Sequence, residues 1–305
     1  MGEQTDAMIG RKRISPWLWL LPALIFVGVF LVYPVIETLR ISLLNSDSTA
    51  FVGLDNYAFV FTKRATQTAL LNNLLWLFLF TSITVGLGPI MAVLTGRVRY
   101  EAAAKAAIFV PMAISFVAAA VIWRFMYEFR PEGFTQIGTV NATLTALGGD
   151  PKAWLVDTGP AALPRPFQVN NFAIVAAGIW MWTGFAMVIL SAGLKGISTE
   201  VLEAARVDGA NEWQTFRHIT LPILYPTIAV VTTTLVINAL KKFDLVWVMT
   251  AGNFGTDLVA TLMYKEMFNF REFGRASALA VILLVVIVPI MLVSIRRFRV
   301  QEETR

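Results

Sequence analysis

The sequence predicts an all-α, polytopic membrane protein, and three observations carry that expectation. Hydrophobic residues make up 57% of the 305 residues and charged residues 15%, against roughly 45–50% and about 25% in soluble domains. Six apolar runs recur along the chain. Each is long enough to cross a ~30 Å hydrocarbon core as a helix, which takes roughly 20 residues and is about twice the length of a barrel strand. Lipid offers backbone polar groups no partner, so uninterrupted runs of this length must satisfy their own N–H and C=O groups as helices.

The spans fall at 16–39, 70–95, 106–125, 172–194, 226–250 and 276–295. The first exceeds a signal-peptide core and ends in Val32-Tyr33-Pro34-Val35 rather than a small-residue cleavage site, so it reads as a retained anchor. Orientation follows from Lys and Arg, which are enriched in cytoplasmic loops. Arg11, Lys12 and Arg13 precede the first span, and Arg97, Arg99 and Lys105 join the second to the third. Lys195, Arg206 and Arg217 lie between the fourth and fifth, and Arg296, Arg297 and Arg299 follow the sixth. Both termini are therefore expected in the cytoplasm. Tails at 1–15 and 297–305 flank one transmembrane domain, 16–296. The opposite loops, 40–68, 128–171 and 252–275, are longer and less basic, with turn signals at Arg130-Pro131-Glu132-Gly133, Gly148-Gly149-Asp150-Pro151 and Thr158-Gly159-Pro160. The net charge of +5 is accounted for by this bias, and no nucleic-acid partner is implied. The absence of cysteine excludes disulfides, thiolate metal sites and a cysteine nucleophile.

Between the fourth and fifth spans, residues 198–222 form a polar hairpin. Ser198 is placed to cap a helix over Thr199 to Val207, and Gly209 stands where a left-handed C-terminal residue is wanted. Asn211 is placed to cap a second helix, with Gln214 three residues on completing a capping box. Pro222 is expected to end that helix. A connecting surface hairpin would need no more than this.

The spacing says more. Glu203-Ala204-Ala205, three residues, Gly209, nine residues, Ile219, one residue, then Leu221-Pro222 resembles at every fixed position the EAA motif of permease subunits of binding-protein-dependent ABC importers. The resemblance implies the type I importer permease fold, with the hairpin as the coupling helix that enters a groove on an ATPase subunit. It assigns the docking surface to Glu203, Ala204, Ala205, Gly209, Ile219, Leu221 and Pro222. It further implies a bacterial or archaeal cytoplasmic membrane, a second related permease, two ATP-binding subunits carrying ATP and Mg, and an extracytoplasmic sugar-binding protein. The chain has no G-x-x-x-x-G-K-[ST] phosphate cradle, so no cofactor is expected on it and energy must come from another subunit. Phe51 to Tyr57, Phe109-Val110-Pro111 and Ile122-Trp123-Arg124 resemble the carbohydrate-uptake branch. Phe243 to Thr250 with Gly252 to Thr256 resembles permeases for α-glucosides and glucosylglycerol-type compounds, although Gly252-Asn253-Phe254 departs from the Gly-Gly-Pro of maltose-type relatives.

The fifth span is interrupted by Lys241-Lys242-Phe243-Asp244, and intramembrane charge usually faces protein or water. At 1.5 Å per residue Lys241 lies ~22 Å from Pro226, in the outer third of a ~30 Å core. Snorkelling to the surface is one reading of these lysines. The other places Asn238, Lys241 and Lys242 on one helical face, lining a polar cavity that binds sugar hydroxyls. Trp123, Trp180, Trp182 and Trp247 offer rings on which a pyranose stacks, or interfacial anchors. Asn72 and Asn73 either join such a path or cap the second span. Arg124 and Glu128 are spaced as a surface ion pair. Asp208, unfavourably placed for the helix dipole, points to a role at the ATPase interface, or to an Asp-Gly turn. His218 is the sole histidine and makes no metal or catalytic site. An ion-coupled secondary transporter using Lys241 and Asp244 remains as an alternative, and an intramembrane enzyme lacks a catalytic constellation.

Overall fold

The computed structural model describes residues 16–159 and 166–303. The N-terminal tail with Arg11, Lys12 and Arg13, and the turn residue Pro160, lie outside them. Among the described residues the chain is helical throughout, with no strand and a lone antiparallel bridge between Leu44 and Phe51.

The helices, in order, are α1 (Trp19–Ile41), α2 (Asp55–Thr62), α3 (Arg64–Gly96), α4 (Glu101–Ala113), α5 (Phe116–Met126) and α6 (Thr139–Ala146). They continue as α7 (Val169–Lys195), α8 (Thr199–Val207), α9 (Glu212–Leu240), α10 (Asp244–Thr250), α11 (Val259–Tyr264) and α12 (Phe273–Glu303). Five are long and apolar enough to cross a membrane. A sixth crossing is made only if α4 and α5 together count as one span, because they meet at 100°. The continuous third helix expected from the sequence is thus broken. Pro111 removes a backbone donor just before the break, Ile114 is extended, and Ser115 caps α5 by accepting from the Ala118 N–H at 3.1 Å.

The fifth span differs from expectation at both ends. Pro222 does not stop the hairpin's second helix. A single π-type turn over Phe216–Thr220, in which the Leu221 N–H reaches back to the Phe216 carbonyl, absorbs the proline, and the helix runs unbroken to Leu240. There it ends, and residues 244–250 form the separate α10, packed against α5 and α7.

α7 is the central post. It is buried along most of its length and packs against α3, α4 and α9. Gly184 makes the α4 crossing close: a Cβ there would stand 2.8 Å from the Phe109 Cα, the use of small residues typical of membrane helix pairs. The main core contains Trp76, Phe80, Met181, Met187, Leu190 and Leu235. A smaller core joins α2, α3, α11 and α12 through Val60, Ala69, Val259 and Leu279. α1 buries none of its apolar length within the chain, so its side chains face lipid or another subunit.

Candidate functional site

At one end of the bundle stands the hairpin. Ser198 Oγ accepts from the Glu200 N–H at 3.2 Å to start α8. Gly209 (φ +80°) ends it in a Schellman motif, in which Ala210 N–H bonds to Ala205 O and Gly209 N–H to Arg206 O. The left-handed φ is where a β-carbon is disfavoured. Asn211 and Gln214 form the expected capping box, each side chain accepting the other's N–H at 2.8 Å.

Only Ala205 of the docking residues in α8 is buried, facing the bundle, whereas Glu203, Ala204, Asp208 and Gly209 are exposed. Ile219 is half-buried, and Leu221 and Pro222 are exposed on α9. Val207 and Trp213 project beside them, 87% and 65% exposed. Glu212 pairs with Arg97, at the end of α3, at 3.2 Å and, within the hairpin, with Arg206 at 3.8 Å, both on the exposed surface. At this same end Glu101 bridges Lys105 and Lys195, and Lys105 also bonds Ser191. His218 only meets its own helix, with Nδ1 3.1 Å from Gln214 O, and the described residues contain no cluster able to hold a metal ion.

In the interior the structure separates what the sequence put on one face. Because α9 stops at Leu240, Lys241 turns outward while Lys242 turns in and is 5% exposed. Lys241 fits the snorkelling reading; Lys242 does not. The Lys242 ammonium sits 4.9 Å from the Phe116 ring centre, 5.5 Å from Trp182, 5.6 Å from Phe80 and 5.8 Å from Trp76. No carboxylate among the described residues lies within ion-pair distance of it, and Asp244, two residues on, acts on it only through longer-range attraction. Burying a charge costs several kcal/mol, and the surrounding rings offset part of that cost, a desolvated cation–π contact contributing about 2 kcal/mol.

Asn238 does not share that site: it is half-buried and donates to Thr234 O on its own helix at 2.9 Å. Asp244 opens α10, half-buried. The three tryptophans of the expected path fall into three groups. Trp182 lies in the lysine box, Trp123 packs edge-on to Trp180 and against Tyr127, and Trp247 stacks on Phe243 with both rings tilted against Tyr264. Arg124 and Glu128 form no ion pair. Arg124 reaches Val248 O at 3.5 Å, and Arg124 and Glu128 line a cavity of about 520 Å³ with Tyr127, Phe125 and Leu155.

Asn72 and Asn73 are neither caps nor surface groups. Asn72 donates to Gly255 O (2.8 Å) and Asp257 O (2.7 Å) and accepts from Asn171; Asn73 donates to Leu240 O and accepts from the Val259 N–H. Asn170 holds Phe254 O. These amides splice α3 and α7 to the irregular segment between α10 and α11 and to its flanks, giving its nonhelical backbone the partners a helix would have supplied. Asp257 adds an ion pair to Lys265, both oxygens at 2.9 Å; burial raises its carboxyl above the ordinary value against the pull of that lysine. Sequence reasoning missed the partners Trp76, Phe80 and Phe116, and nothing local signals them.

Comparison with known proteins agrees with this architecture. The family model for the binding-protein-dependent transport system inner membrane component matches residues 84–300. The osmoprotective compounds uptake permease protein GgtC of Synechocystis sp. is 54% identical over 94% of this chain and 100% of its own length. The alpha-glucoside transport system permease protein AglF of Rhizobium meliloti is 46% identical over 93% of this chain and 82% of its own. A chain of the bacterial ABC transporter that imports the acidic polysaccharide alginate shares the fold, with a TM-score of 0.77, 24% identity and coverage of 93% of this chain and 94% of that one. The ion-coupled alternative gains no support from these likenesses. The chain belongs to the family of inner membrane components of binding-protein-dependent transport systems, the permease subunits of ABC importers.

Proposed function

We propose that this permease takes up a neutral glucoside or a related polyhydroxylated solute, powered by ATP hydrolysed on separate subunits. The hairpin carries the reading: its exposed face presents Glu203, Ala204, Asp208 and Gly209 on a helix whose both ends are locked by caps, as a rigid lever requires. Two ATP-binding subunits, with ATP and Mg, would grip Glu203, Ala204, Asp208, Gly209, Leu221 and Pro222. Because the second hairpin helix is continuous with α9, motion of the hairpin passes directly into the bundle without a hinge at Pro222. Closure of the ATPase dimer then tilts α9 and opens the path to an extracytoplasmic binding protein, in alternating access. A second related permease completes the pore. In this reading the hairpin and both termini face the cytoplasm, in line with the Arg and Lys clusters at that end. The substrate class rests on the names of the relatives in Synechocystis and Rhizobium and on a path region rich in indole rings.

The experiment is purification of this chain in mild detergent from its native membrane, with mass spectrometry of what remains bound. ATPase subunits and a second permease, both lost in the Glu203→Ala, Gly209→Val double variant, are the expected result, together with ATP-dependent uptake of a labelled α-glucoside into proteoliposomes. A chain that purifies alone and transports without ATP overturns the proposal.

A further inference from the structure

The box around Lys242 is built at the point where the two broken spans meet. Lys242 lies in the gap between α9 and α10, and Phe116 is the first residue after the α4–α5 bend. Trp182 comes from the central post α7 and Trp76 and Phe80 from α3. Phe116 and Trp182 lie nearly parallel, 6.1 Å apart, facing the tilted pair Trp76 and Phe80. The Trp182 Nε1 is buried and has no acceptor among the described residues, although the residue is only 6% exposed. Four rings around one positive charge, each within about 6 Å, is the arrangement by which proteins recognise quaternary ammonium ligands. Here the chain supplies the cation itself.

We propose that this aromatic box is a quaternary-ammonium-sized binding site which Lys242 occupies as an internal ligand, so that trimethylammonium-type solutes are turned away while uncharged polyhydroxylated ones are not. Two effects act together. The stem of Lys242 stands among the rings, and its charge, held in no ion pair and only acted on from a distance by Asp244, repels a second cation in a water-poor interior, where screening is weak. A neutral solute carries no such electrostatic penalty. The selectivity consequence rests on the uptake reading above; the box and its affinity for ammonium ions do not.

Lys242→Ala removes the stem and its charge, a volume close to that of a tetramethylammonium ion, whereas Lys242→Met keeps a neutral stem in place. In purified protein, tetramethylammonium chloride titrated against matched sodium chloride should shift the tryptophan fluorescence of Lys242→Ala saturably, and leave the wild type and Lys242→Met unchanged. In proteoliposomes of the full complex, tetramethylammonium should inhibit glucoside uptake by Lys242→Ala at least tenfold more potently than by wild type. A wild-type response equal to that of Lys242→Ala, or a folded Lys242→Ala indifferent to the cation, overturns the proposal. Should Lys242→Ala accumulate poorly, tetramethylammonium in growth and extraction buffers should restore its yield, and a yield blind to the cation equally overturns it. Wild-type complex that does not transport glucosides, while Lys242→Ala still binds tetramethylammonium, would fault the substrate assignment and leave the box standing.

Discussion

The two ends of this molecule are held by opposite kinds of interaction. At the hairpin end nearly every bond in the turn is local: Ser198 to Glu200, Ala210 to Ala205, Asn211 to Gln214. At the other end the segment 251–258 and its flanks are held by residues far away in sequence: Asn72 reaches Gly255 and Asp257, and Asn73 reaches Leu240 and Val259, each across more than 165 positions. Glycine shows the contrast best. Gly209 (φ +80°) has open space where a Cβ would go, while Gly252 (φ +71°) would drive one to 2.6 Å from Asp257 Cγ and 2.9 Å from Lys265 Nζ. The hairpin is thus locally determined and free to present itself to a partner. The opposite end is locked into its own chain.

The sharpest way to break this comparison is Gly252→Ala. Left-handed strain and overpacking against the buried ion pair should together cost about 3 kcal/mol or more, read as a large drop in detergent melting temperature. A variant as stable as wild type would mean that the Asp257–Lys265 pair does not lock the segment. Next comes Asn72→Leu, which strands two buried carbonyls and should cost about 2–3 kcal/mol. Hydrogen exchange should then accelerate in 251–259 and not in the hairpin; uniform acceleration would deny the separate status of the two ends.

Gly209→Val is expected to cost only about 1–2 kcal/mol, since strain acts without a clash, and the protein should remain in the membrane at near-normal levels. Uptake should nonetheless be abolished, because the turn no longer presents the docking face. Full transport by this variant would remove the hairpin from coupling. Smallest of all is Glu212→Gln, which loosens two exposed ion pairs worth below ~1 kcal/mol. Its effect on uptake should be modest and should shrink further as ionic strength rises, in line with screening; a salt-independent loss would point to Glu212 contacting the partner directly.

The hairpin's legibility follows from its scale. Caps, the Schellman turn and the capping box are decided within about ten residues, so Ser198, Gly209, Asn211 and Gln214 could be assigned from sequence alone. Pro222 misled because a proline normally stops a helix, and the π-type turn that rescues it has no sequence mark. Lys241 and Lys242 misled for a different reason: an apolar run continuing to Met249 hides a break at Leu240, and a helical face extrapolated past the break no longer exists. Asn72 and Asn73, adjacent and near a helix start, carried two meanings that only their distant partners could separate.

By itself, then, the sequence determined the class, the helices, and the hairpin, because hydropathy and capping are properties of a residue and its near neighbours. Only the tertiary structure decided which lysine is buried, where two spans break, and which rings converge on Lys242. Those contacts join residues 76, 80, 116, 182 and 242, and no local signal along the chain encodes a meeting that exists only once α3, α5, α7 and α9 have packed.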